Sequence, residues 1–338
     1  MRVSSYTFLQ KSFAPDRYPR ADTYLNSPLY YTLTGRKGLS VYRHEDSVLM
    51  VCTHPNKDNC LLVFPELGGS DFYLTATVLN MLESPENGIQ LARFSSEEVE
   101  KLKTALSQQN TSRLINLEIV EEDDLDWKYP VRILDTGLVS EMRGKSFKQV
   151  RTKFRKAATH IKIQKMTAKN SENMMRAALK FWEGTMIMND KDTESMDGFY
   201  EAFIKTIKNN PQSAEGLFFF DGKRPVGFSV WEKISSQKAN SFINICDTSI
   251  TGLSDFQMVS KCRKLNSMGV QYLNLGGSET ESLDAFKCKY KPVESVHLVS
   301  AKVEYEQANN SNIQVRTIIA AQTCGSKPKT SSVQHPIR

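Results

Sequence analysis

Arg143-Gly-Lys-Ser-Phe-Lys-Gln-Val-Arg-Thr-Lys-Phe-Arg-Lys156 opens the second half of the chain, and the rest of the fold can be read outward from it. Phe147, Val150, Phe154, Ala157 and Ile161 return at steps of three and four residues, the period of one helix face. Lys148, Arg151 and Arg155 form a second stripe, with Lys145, Lys153 and Lys156 on the flanks. Residues 142–171 hold ten Lys and Arg and no Asp or Glu, whereas the 338-residue chain is only +6, so the remainder carries a net −4. Solvated helix faces ordinarily mix signs, because like charges one turn apart weaken a helix. A one-sign face costs self-repulsion that a bound anion relieves. We read this face, with Arg143 just before it, as the site for a polyanionic or phosphate-bearing partner; a plain solvated face is the alternative.

The elements on either side give the architecture. Towards the carboxy terminus, a strand is expected at 161–166 and helices at 171–186 and 195–209. Residues 215–220 and 225–233, joined by Asp221-Gly222, read as a hairpin. A strand at 240–247, a helix at 254–268, a strand at 270–275, a helix at 279–288 and a last strand at 295–303 follow. Towards the amino terminus, β-rich runs at 39–43, 47–53 and 60–64 precede a helix at 71–83 and a strand at 88–94. Ser95-Ser96-Glu97-Glu98 has the spacing of a capping box and opens a helix to about residue 108, before a strand at 114–120. The two halves therefore repeat one element order, the first lacking the opening members. Residues 118–126 carry six acids and read as a surface connection. We expect domains at 1–120 and 121–305, and a polar, disordered tail over 306–338.

Composition narrows the chemistry. No apolar run approaches the roughly eighteen residues of a membrane span, and no signal-peptide core opens the chain, so a soluble, cytoplasmic protein is expected. The six cysteines and five histidines show no zinc-ligand spacing, which argues against a metal site or a disulfide framework.

This element order resembles that of the GNAT acetyltransferase fold, here in tandem. It implies an α/β (α+β) chain of two GNAT-like domains, each a mixed, mostly antiparallel sheet flanked by helices. Leu273-Asn-Leu-Gly-Gly-Ser278, followed by Leu283-Asp-Ala-Phe286-Lys287-Cys-Lys289-Tyr-Lys291-Pro292, resembles the closing motif of aminoacyl-tRNA-dependent transferases. These include the Fem peptidoglycan-bridge enzymes and the soluble domain of phosphatidylglycerol lysyltransferases. Gly144-Lys145 followed by Arg151 is similar to a signature of the latter, as is the acidic lead-in ending Asp126-Trp127-Lys-Tyr129. The lysyltransferases' membrane flippase half has no counterpart here, which shifts the expected acceptor towards a soluble molecule. Lys156 and Ala157 stand where that family often has an Asn.

The resemblance implies an aminoacyltransferase that needs no cofactor, only aminoacyl-tRNA as co-substrate. Lys287 would meet the developing oxyanion, as the Fem likeness implies, and Phe286 would support it near the terminal adenine. Gly276, Gly277 and Ser278 would shape the substrate turn. Asp247, at a strand end, would hold the α-ammonium or act as a weak base, unless it is a turn residue. Glu279 and Glu281 could hold the same ammonium, although acids in a first helical turn are commonplace. The tRNA would lie on Arg143, Lys145, Lys148, Arg151, Lys153, Arg155 and Lys156. Trp231 and Trp182 read as core.

Two other functions compete. An acyl-CoA-dependent N-acyltransferase needs a glycine-rich pyrophosphate loop before the helix that follows the fourth strand. Here that junction reads Asp247-Thr-Ser-Ile-Thr-Gly252-Leu-Ser-Asp255, with one glycine and no basic residue. Its counterpart in the first half, Glu66-Leu-Gly68-Gly69-Ser70-Asp71, is glycine-rich but also acidic. Asp255 and Asp71 read as helix caps. A non-catalytic nucleic-acid binder would use the basic helix alone and would need no Phe-Lys motif.

Overall fold

The computed structural model describes residues 6, 9–10, 20–69, 71–109, 113–120, 127–188 and 194–307. The acidic run at 121–126 and the tail from 308 onward lie outside the described residues. Helix α1 (Pro28–Thr34) leads into β1 (Leu39–His44), β2 (Ser47–Thr53), β3 (Leu61–Val63), α2 (Tyr73–Met81), β4 (Ile89–Phe94), α3 (Ser96–Gln108) and β5 (Arg113–Val120). Next come β6 (Val131–Asp135), α4 (Thr136–Glu141), the basic helix α5 (Lys148–Ala158), β7 (Ile161–Lys165), α6 (Ser171–Met188) and α7 (Glu194–Asn209). The chain continues with β8 (Glu215–Asp221), β9 (Arg224–Lys233), β10 (Lys238–Cys246), α8 (Leu253–Ser267), β11 (Tyr272–Asn274), α9 (Glu281–Cys288), β12 (Glu294–Val296) and β13 (Val299–Gln307).

Local chemistry sets several of these boundaries. Ser27 caps α1, whose first residue is Pro28, fixed in φ and lacking an N–H that would go unpaired there. Ser95 and Glu98 exchange bonds as the expected capping box of α3. Asp221 pairs with Arg224 across the β8–β9 turn, and Gly222 takes the positive φ that the turn requires.

The strands form two mixed sheets, as expected. The first runs β1-β2-β3-β4-β13-β5 and the second β12-β6-β11-β10-β9-β8-β7. Each has one parallel pair, β3 with β4 and β10 with β11, among antiparallel neighbours. The first sheet is also completed by a strand from the second half. β13 inserts between β4 and β5, and β6, which follows the acidic connection, inserts between β11 and β12.

This corrects the sequence reading, which put the last strand at the end of the second sheet. Ala301 and Val303 of β13 are buried with Leu91 and Leu117 in the first core, and the Trp127 indole donates to Ser300 Oγ at 2.9 Å. β6 was not anticipated. Five residues after a proline, with only Arg132 and Asp135 interrupting the apolar ones, carry too short a pattern to read.

The second sheet is covered on one face by α5 and α8, around Phe154, Phe219, Phe256 and Trp231. The other face packs on α6 and α7, around Met175, Phe203, Phe218 and Phe228. The amino-terminal segment joins the halves. Asp22 accepts from Arg93 Nε of the first half at 2.6 Å and from Asn274 Nδ2 of the second at 3.0 Å. The fully buried Arg93 guanidinium lies 5.1–5.2 Å from the rings of Tyr24, Tyr30 and Trp127. Among the described residues no helix is long and apolar enough to cross a membrane, and no group of three His, Cys, Asp or Glu could hold a metal.

Candidate active site

The parallel pair of the second sheet opens into a cleft. β10 and β11 are in register only at Lys238–Asn240 against Tyr272–Asn274. Beyond Asn240, β10 stays paired with β9 as far as Cys246. The chain after β11 leans the other way, with Leu275 N–H donating to Arg132 O and Arg132 N–H to Gly276 O. The two strands therefore splay, and a β-bulge between Ser241 and Ile243 lies on the β10 side of the opening.

On the β11 side stands the Gly276-Gly277-Ser278 turn. Gly276 has φ 71, and its N–H donates to Asn274 Oδ1 at 2.8 Å. Ser278 makes a two-way backbone bridge with Tyr129. Lys287 comes to this turn from α9 and is only 8% exposed. Its ammonium donates to Gly276 O at 3.2 Å and also to Gly277 O. Lys287 is therefore not one solvated lysine among three. The Thr280 cap and a bidentate Arg132–Asp284 pair, both contacts 2.8 Å, hold α9 in place.

Phe286 is half-buried, edge-on to Tyr290 at 5.4 Å, with Lys289 Nζ 4.4 Å from its ring centroid. Lys289 also meets Asp255 at 2.7 Å, and the Tyr290 hydroxyl donates to the same Oδ1 at 3.1 Å. Asp255 is thus a buried partner of the Phe-Lys segment. It is not a cap: the cap position of α8 is Gly252, which makes no side-chain bond. Asp71 stands one residue before the cap position of α2, Phe72, but its Oδ1 does accept from the helix's first N–H, that of Tyr73, at 3.2 Å.

Asp247 closes the turn after β10. Its Oδ1 accepts from the Ser249 N–H at 3.0 Å and from the Ser249 hydroxyl, while Oδ2 faces Arg224 at 3.3 Å. This is the turn reading, with the charge already answered. Glu279 is exposed just before the Thr280 cap.

The basic helix lies beside the cleft's outer end, with the backbone of Lys153 against Gly252. Lys145, Lys148, Lys153, Arg155 and Lys156 are exposed. So is Arg143, whose guanidinium pairs with Glu141 at 3.0 Å. Arg151 belongs to a different class. It is half-buried and donates to Met142 O and Gly144 O, tying down the turn before α5.

Sequence reading missed three residues on the β10 wall of the cleft. Lys261 of α8 is fully buried, and its Nζ lies 2.6 Å from Ser241 Oγ and 2.8 Å from Asn244 Oδ1. Burial pushes its pKa down to about 7, and the nearby charge of Lys287 contributes. The available signal was spacing: Gln257 and Lys261 sit one turn apart on a stripe of α8 otherwise filled by buried residues. A separate cavity of about 380 Å³ lies behind Asn274, between the amino-terminal segment and Ile133, Lys238 and Tyr272.

No protein-family model matches the sequence, and no curated protein does. Solved structures do match. A conserved protein of unknown function from Bacteroides thetaiotaomicron is 13% identical with a TM-score of 0.69, over 90% of this chain and 99% of its own. FemX is 10% identical with a TM-score of 0.59, over 87% and 95%. The carboxy-terminal DUF2156 domain of a lysylphosphatidylglycerol synthetase-like protein from Agrobacterium fabrum is 13% identical with a TM-score of 0.60, over 88% and 92%. The chain has the fold of FemX and of this DUF2156 domain. At the level of fold, this bears out the resemblance to the Fem and lysyltransferase proteins and the expected architecture of two mixed sheets flanked by helices.

Proposed function

We propose that the chain is an aminoacyl-tRNA-dependent aminoacyltransferase, moving an amino acid to an amine- or hydroxyl-bearing acceptor in the cytoplasm. The observation that carries this reading is Lys287, withdrawn from solvent onto the Gly276-Gly277 carbonyls at the mouth of the β10–β11 splay. The matching motif of the Fem-like transferases has its lysine at the corresponding position.

An ester on tRNA is already activated. The acceptor's lone pair attacks the ester carbonyl carbon, a C–N or C–O bond forms, and the carbonyl π pair moves onto oxygen. Lys287's ammonium stabilises that oxyanion. Collapse re-forms the carbonyl and breaks the bond to the ribose oxygen, which leaves with the proton that the acceptor gives up. Phe286, partly exposed beside Lys287, offers a face for the terminal adenine. The exposed cations of α5 lie along the route of the acceptor stem.

Use of acyl-CoA is disfavoured by the junction before α8. A Cβ on Gly252 would meet Lys153 O at 2.2 Å, so the α5 backbone crowds the helix end where a pyrophosphate would bind. Asp255 adds an acid in the first turn. The test is incubation with total tRNA charged with labelled amino acids, together with a cell lysate. Label should leave tRNA for a new product in an enzyme-dependent way. Consumption of acetyl-CoA with no loss of aminoacyl ester would replace this reading with the acyl-CoA one.

A further inference from the structure

Asn244 occupies an unusual position for an amide. It sits on β10 past the point where β11 departs, and it is exposed while its neighbours Ile243 and Ile245 are buried in the opposite face. Its oxygen is fully engaged on the inward side, accepting from Lys261 Nζ at 2.8 Å and from the Ser229 hydroxyl at 2.6 Å. Two donors on one atom fix which way the amide faces. Of the two Nδ2 hydrogens, one goes to Ser241 Oγ at 3.1 Å. The other has no protein acceptor among the described residues, on a side chain that is exposed. What the cleft meets here is an N–H donor held in one orientation, which selects an acceptor atom and repels an ammonium.

Resting on the transferase reading above, we propose that Asn244 donates this N–H to the carbonyl oxygen of the transferred aminoacyl ester, as a second oxyanion donor beside Lys287. We assign Lys261 as the positioning residue that locks its amide.

Burying Lys261 without a carboxylate partner costs stability. Lys261 Nζ donates to both Ser241 Oγ and Asn244 Oδ1, and Asn244 Nδ2 donates to Ser241 Oγ, so the three side chains close a ring. The depressed pKa agrees with that burial. A costly buried group whose contacts all converge on one exposed amide is better explained by function than by packing.

The test is single-turnover transfer from total tRNA charged with tritiated amino acids to hydroxylamine, a small nucleophile that yields aminoacyl hydroxamate. The wild-type protein should form hydroxamate well above the uncatalysed rate. Asn244→Asp, which replaces the donor with an acceptor of the same shape, should slow this step by about a hundredfold. Its affinity for charged tRNA, read by filter binding, should stay within about twofold, because the ground-state ester carries little charge. Lys261→Met keeps the stem and frees the amide, and should slow transfer by about tenfold or more. Its melting temperature should be unchanged or higher, since a costly desolvated amine is removed while Asn244 Oδ1 keeps the Ser229 hydroxyl.

Wild-type rates in Asn244→Asp would overturn the donor role while leaving the transferase reading intact. A fall in melting temperature that accompanies the activity loss of Lys261→Met would make that lysine merely structural. Should Asn244→Asp fail to fold, Asn244→Ala, a truncation at an exposed position, decides the same point. Wild-type protein that forms no hydroxamate would overturn the transferase reading and this inference with it.

Discussion

Charge reversal on the basic helix separates a tRNA surface from a merely solvated face. The variant combines Lys148→Glu, Lys153→Glu and Arg155→Glu, three exposed positions. Arg151 is left alone, because its guanidinium holds the Met142 and Gly144 carbonyls. Each phosphate contact contributes roughly 0.7–0.9 to the slope of log affinity against log salt. Losing three such contacts should lower the slope by about 2–3, and at about 0.15 M salt that amounts to roughly a hundredfold in affinity. Titration of total tRNA between about 50 and 200 mM salt reads both quantities. Arg151→Gln should instead lower the melting temperature and leave the slope almost unaltered. Affinity within about twofold and an unchanged slope in the triple variant would refute the reasoning and return the stripe to solvent.

Two further predictions concern what holds the fold. Glu232 is buried, accepting from the Ser27 hydroxyl and the Leu29 N–H, and burial pushes its pKa up to about 8 from a usual 4.5. The folded state therefore binds an extra proton between those values, and stability falls as pH rises through that window. Glu232→Gln should flatten the dependence and raise stability at pH 8 by on the order of 3 kcal/mol, read by denaturant titration at pH 5 and pH 8; a pH dependence equal to wild type would contradict it. Gly252→Ala should destabilise markedly, because Gly252 has φ 84 and a Cβ would strike Lys153 O at 2.2 Å. A melting temperature equal to wild type would mean that α5 and the β10–α8 turn are not tied as described.

Much of this fold was legible from the chain itself, wherever the signal was local. The capping box at Ser95, the Asp221-Gly222 hairpin and the helix period of Phe147, Val150 and Phe154 all rest on neighbours a few residues apart. The crossing of β13 into the first sheet was not, because alternation along β13 says that it belongs in a sheet and not which one. Its neighbours β4 and β5 lie far away in sequence.

The same limit governs the site. Phe286 and Lys287 could be picked out through a motif, but the hold of the Gly276 and Gly277 carbonyls on Lys287 is a tertiary fact. Arg151 looked like its neighbours on the basic stripe until the turn at Gly144 folded back onto it. Asp247 and Asp255 were both acids at a loop. One proves to be closed by Ser249 and Arg224, the other buried under Lys289 and Tyr290. Lys261 escaped notice because a single lysine in a helix is ordinarily solvated, and only the packing of α8 on β10 shows otherwise.

The central claim is that Lys287 meets charge that exists only in the transition state. Single-turnover transfer from charged tRNA by Lys287→Ala tests it directly. Turnover should fall by about a hundredfold or more, with affinity for charged tRNA changed far less. Lys287→Arg should rescue poorly, because a planar fork cannot place its charge where a compact ammonium sat. Near-normal transfer by a Lys287→Ala protein that melts like wild type would contradict the account.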